Sequence, residues 1–138
     1  MMSINKLVVL VILSTASCGI ERTKAVNSEF YLIVPLRNCE TCVDEIISFA
    51  NANLDNHRIK VIFTSVERKL FKLKLSDRTL SASNILLDET GGLIKDGFID
   101  HEFLLIQKDN GRIVDQKSLN AANLTSELLI LGNKLSQK

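Results

Sequence analysis

The apolar positions change their spacing several times along the chain, and each change marks an element. "EFYLIVPL" (29–36) is a short apolar run rich in β-formers and predicts a buried strand ending near Pro35. From Cys39 onward, Cys39, Val43, Ile46, Ile47, Ala50 and Leu54 recur at spacings of three and four. That is the single stripe of an amphipathic helix, with Asn38 a suitable N-cap. "NANLDN" ends this helix, and "RIKVIFTS" (58–65) predicts a second strand. Across 66–76, Val66, Leu70 and Leu73 fit a helix while Leu73, Lys74 and Leu75 alternate as in a strand; the helix is the better fit. "NILLDETGG" (84–92) is a short apolar stretch followed by a turn. In "EFLLIQKDNGRIVDQKSL" (102–119) two β-rich runs flank Asp109, Asn110 and Gly111, the signal of a hairpin. Leu124, Leu128, Leu131 and Leu135 then share one face of a terminal helix.

Helices alternating with strands imply an α/β layer fold whose first crossover is right-handed. A chain of 138 residues, 46% hydrophobic and 24% charged, suits one globular domain with a real core. There is no internal repeat and no low-complexity tract. Lys and Arg number 17 against 16 Asp and Glu, with no long basic block, which argues against nucleic acid as a partner.

The first residues follow another plan. "MMSINK" carries one positive charge, "LVVLVIL" is uninterrupted apolar sequence and "STASC" is a run of small residues, as in a secretory signal segment over 1–17. The apolar run spans about 10 Å as a helix, too little for a permanent membrane span. Small residues before Cys18 with Gly19 after it resemble the lipobox of bacterial lipoproteins, although Thr15 stands where such sites favour Leu. That resemblance implies lipidation of Cys18, a polar tether over 18–28 and a protein anchored to a membrane of the cell envelope. Cleavage after Ala16, with free secretion, is the alternative. Lipid on Cys18 leaves an even pair, Cys39 and Cys42, for other chemistry.

That pair is the chemical signal of the chain. Cys39 follows a buried strand, where open α/β sheets place their sites, and it lies at a helix start, where free N–H groups and the dipole favour a thiolate. Cys42 is one turn away, within reach of a disulfide. Glu40 opposes the thiolate, so Cys39 is expected to be less acidic, and the couple more reducing, than in oxidants of similar design. A disulfide that never turns over is a second reading, common in exported domains. A metal site is a third, with only His57 and His101 to supplement two thiolates, at irregular spacing. Val43 after Cys42 excludes a haem attachment site. Asp88, Glu89 and Asp96 lack the spacing of a calcium loop and read as turn residues.

The order of elements and the position of Cys-x-x-Cys resemble the thioredoxin fold, in particular exported thioredoxin-like proteins of the TlpA/ResA type. The likeness covers 29–138 and rests on Cys39, Cys42, "ILLDETGG" and "FLLIQKDNGRIV". It implies three layers, with a central mixed sheet of about four to five strands between helices and a closing hairpin and helix. It also implies a monomer without cofactor or metal, whose partners are protein disulfides or dithiols: Cys39 attacks a partner's disulfide and Cys42 resolves the mixed disulfide. His101 falls where the family's loop faces the cysteines, a candidate modulator beside Glu40, or else a plain loop histidine. The chain has no Trp, and Pro35 is its sole proline. Both facts fit the alternative of a redox-silent binding module that keeps the fold and a structural disulfide.

Overall fold

A computed structural model describes residues 28–97 and 102–137. Its sheet has five strands: β1 (Phe30–Pro35), β2 (Ile59–Thr64), β3 (Ile85–Asp88), β4 (Phe103–Asp109) and β5 (Arg112–Leu119). They lie in the order β3-β2-β1-β4-β5, with β1, β2 and β3 parallel and β4 and β5 antiparallel. Between and after them come α1 (Glu40–Asn51), α2 (Lys69–Lys74), α3 (Asp77–Ser81), α4 (Gly92–Lys95) and α5 (Leu124–Ser136). The protein is therefore an α/β fold with a mixed five-stranded sheet flanked by helices.

Alternation along the strands sorts the core into two faces. Phe30, Leu32 and Val34 of β1 join Ile59, Val61 and Phe63 of β2 on the face covered by α1, α2 and α5. Val43 and Ile46 of α1, Phe71 of α2, and Leu124, Leu128, Leu131 and Leu135 of α5 complete that cluster. Tyr31, Ile33, Ile62, Leu104 and Ile106 point the other way, and α4 contributes Leu93 there. Both central strands are buried along their whole length, which is why they read as apolar runs, that of β2 interrupted by Lys60.

Several boundaries differ from those expected. The stripe of α1 is entered by Cys42, not Cys39: Cys39 is the N-cap and is exposed, while Asn38 stands one residue further out. The helix expected over 66–76 is shorter, confined to α2, and a second short helix, α3, follows it. Leu75 is extended, and Ser76 starts α3 by accepting a hydrogen bond from the Thr79 N–H. The apolar stretch at 84–88 is a full edge strand, β3, paired with β2 from Val61↔Ile85 to Thr64↔Asp88. After it, Gly91 takes a left-handed conformation (φ 68°) against Val66, where a Cβ would meet Val66 Cγ1 at 2.6 Å. Asp88 caps the next turn, accepting from the N–H groups of Gly92 and Leu93 and from Thr64 Oγ1. The turn residues at 88–91 are thus structural.

Ser28 already belongs to the folded body, buried and donating to the His57 carbonyl. Arg58 ties the start of β1 to the end of α5: it pairs with Glu29 at 2.7 Å and donates to the carbonyls of Lys134, in the last turn of α5, and of Gln137 just after it. No helix among the described residues is long and apolar enough to cross a membrane.

Two lysines sit on the second face of the sheet, on either side of Tyr31. Lys60 is its register partner on β2, and Lys108 of β4 lies 5.4 Å from its ring centroid. Both are over nine-tenths buried, and burial pulls each ammonium below the ordinary value of 10.5. Between the lowered folded value and 10.5 the unfolded chain holds more protons, so stability rises with pH in that window; below it the desolvation cost is constant. The expected result is that Lys60→Met stabilises the oxidised protein at pH 7 by about 0.5–2 kcal/mol. The gain should shrink at pH 10, as urea denaturation at the two pH values will show.

Candidate functional site

The carboxyl end of β1 leads through Leu36–Asn38 into α1. Leu36 N–H donates to the Thr64 carbonyl at 3.0 Å, so the loop leaves the sheet at the end of both central strands. Cys39 N–H is held by Asn38 Oδ1 at 2.6 Å, and the Cys39 carbonyl receives the Val43 N–H at 2.9 Å, the first bond of the helix. Cys39 therefore occupies the N-cap, where an oxygen-bearing side chain is usual, and its Sγ takes that part by accepting the Cys42 N–H at 3.3 Å.

The sulfur atoms of Cys39 and Cys42 lie within disulfide-bonding distance, with a Cα–Cα separation of 5.2 Å. Their surroundings are unequal. Cys39 is exposed, and the Thr41 hydroxyl is 3.3 Å from its sulfur. Cys42 is 5% exposed and belongs to the larger core cluster beside Val43. One sulfur faces solvent and the other is backed by the core.

Glu40 is exposed in the first turn of α1, and Lys74 Nζ stands 3.7 Å from its carboxylate. Arg37, on the other side of Cys39, pairs with Glu67. Sequence reasoning singled out Glu40 but missed Lys74, Arg37 and Glu67. Glu67 and Lys74 come from a segment about thirty residues downstream, and nothing local announces them or the pairing of Arg37. His57 is exposed on the loop before β2, far along the sheet from the cysteines. Cys18 and His101 lie outside the described residues, so lipidation at the first and modulation by the second stay expectations. β4 does begin at this end of the sheet, since Leu104 pairs with Ile33.

Among the described residues no group of three or more His, Cys, Asp or Glu is placed to hold a metal ion. The chemistry on offer is that of the two sulfurs: a helix start that favours a thiolate at Cys39, and a second thiol held within bonding reach. No protein-family model matches the chain, and neither the curated proteins nor the solved structures give a significant match.

Proposed function

We propose that this protein is a thioredoxin-like thiol-disulfide exchange protein, tethered at Cys18 to a membrane of the cell envelope, with Cys39 as nucleophile and Cys42 as resolving thiol. The observation that carries the reading is the asymmetry of the pair: an exposed sulfur at an N-cap, receiving a backbone N–H, against a buried sulfur within bonding distance. Strand order supports the fold assignment, because β1, β2 and the β4–β5 hairpin form a mixed sheet with the pair at the end of β1.

In the reducing direction, the Cys39 thiolate attacks one sulfur of a partner's disulfide. A Cys39–partner bond forms, the partner's S–S bond breaks, and its released thiolate takes a proton. The Cys42 thiolate then attacks Cys39 Sγ, expelling the partner's second thiol and closing Cys39–Cys42. Two electrons and two protons reach the partner, and a dithiol donor returns the pair to its reduced form. Glu40 disfavours the thiolate, and Lys74 beside it offsets part of that charge. Thr41 and the Cys42 N–H supply donors to the sulfur.

The second reading, a redox-silent module with a permanent disulfide, is favoured by the missing Trp and by Pro35 being the sole proline. Insulin reduction by the full chain with dithiothreitol separates the two, together with the midpoint potential in glutathione buffers. Turnover that vanishes in Cys39→Ser supports exchange. A pair that stays closed against every thiol pool leaves only the module.

A further inference from the structure

The two ion pairs described above bracket Cys39. Arg37 on one side is bound by Glu67, and Glu40 on the other by Lys74. Glu67 lies just before α2 and Lys74 is its last residue, so α2 is fastened alongside the cysteine loop at both of its ends. Phe71 anchors the helix to the core. Its outer side carries Lys69, Lys72 and Leu73, whose spacings of three and four put them on one face.

That face is unusual in two respects. Leu73 is 73% exposed, the most exposed large apolar side chain among the described residues, and Val66 just upstream is 50% exposed. Lys69 and Lys72 are exposed and enter no ion pair among the described residues, whereas Arg37, Arg68 and Lys74 are each matched by a glutamate. The outer face of a helix fastened to the cysteine loop is thus two cations, unmatched among the described residues, around an uncovered leucine. The acidic Asp44 and Glu45 of α1 lie a turn further from the sulfur.

Building on the exchange activity proposed above, we infer that α2 is the docking ridge for the redox partner, and that the partner is a protein whose disulfide lies in an acidic segment with an apolar side chain nearby. Lys69 and Lys72 meet its carboxylates, and its apolar group covers Leu73. Complementary charge raises the encounter rate and selects the partner, while burial of the leucine holds the complex during attack by Cys39. The charges lie on the surface, so the selection weakens as salt screens them.

The test compares three disulfide substrates of the reduced full chain: a peptide disulfide flanked by Asp and Leu, the same peptide with Lys for Asp, and neutral 2-hydroxyethyl disulfide. The expected kcat/KM for the acidic peptide at low salt exceeds that for the basic one by about tenfold, and the ratio falls toward one near 1 M salt, where the Debye length is about 3 Å. The double substitution Lys69→Glu with Lys72→Glu inverts the preference through KM. Leu73→Ser raises KM for the acidic peptide severalfold. Both leave 2-hydroxyethyl disulfide turnover unchanged, which also certifies that the variants are folded. Equal rates on the two peptides, with the neutral disulfide still turned over, overturn the docking ridge while leaving exchange intact. Failure on all three substrates overturns both readings. Equal peptide rates with Lys69- and Lys72-dependent binding to phosphatidylglycerol vesicles would reassign the ridge to a lipid surface.

Discussion

If Cys39 is the nucleophile and Cys42 the resolving thiol, a Cys42→Ser variant should accumulate mixed disulfides through Cys39, and a Cys39→Ser variant should accumulate none. The difference follows from the depth of the two sulfurs: a partner's disulfide can approach exposed Cys39, but Cys42 is 5% exposed and packs with Val43 and Ile46. In the proposed exchange the wild-type mixed disulfide should be short-lived, because Cys42 is held at bonding distance and would attack at an effective concentration far above that of any free thiol. Removing Cys42 leaves only external thiols to release the partner. The lifetime of the intermediate should rise by at least about 100-fold. Acid quenching followed by non-reducing electrophoresis and mass spectrometry reads the adducts directly. Comparable adducts on Cys42 in Cys39→Ser would refute the assignment of nucleophile and resolver.

The same pair illustrates what can be read along the chain and what cannot. Its position after a strand and at a helix start follows from local pattern, because the apolar run of β1 and the period of α1 are each complete within a dozen residues or so. The inequality of the two sulfurs does not follow, since it depends on which side of α1 meets β1 and α5. Assigning the cap to Asn38 and putting Cys39 on the apolar stripe missed by one residue. In the structure, Cys39 itself supplies the capping atom.

The hairpin and the last helix were the most readable parts. Asn110 and Gly111 both have positive φ (52° and 80°), as a tight two-residue turn demands, and the four leucines of the expected stripe, Leu124, Leu128, Leu131 and Leu135, are all buried. β3 was read only as an apolar stretch because four residues carry little period, and its pairing is with β2, more than twenty residues away. The one-turn α4 depends on the left-handed Gly91 and on the Asp88 side chain, neither of which produces a hydrophobic repeat. Ion pairs such as Glu40 with Lys74 join segments that sequence spacing keeps apart.

Phe63→Ala should destabilise the protein by about 3–5 kcal/mol, the cost of lost apolar burial plus the cavity left behind. Phe63 has no solvent exposure, sits on a central strand and faces the cluster formed with α1, α2 and α5. The residue after it, Thr64, holds the Leu36 N–H and pairs with Pro35, so the damage lies directly under the loop that carries Cys39. By comparison, Leu129→Ala on the 66% exposed side of α5 should change stability by no more than about 0.5 kcal/mol. Opening the Cys39–Cys42 link should cost about 2 kcal/mol at most, because a sequence separation of 3 closes a very small loop. Urea denaturation of the oxidised protein, the reduced protein and the two variants ranks these effects. If the core outweighs the link in this way, the pair can open and close while the sheet beneath it stays folded, which repeated exchange requires. Reduction that unfolds the domain as fully as Phe63→Ala would make the disulfide a structural staple and remove the physical basis for cycling.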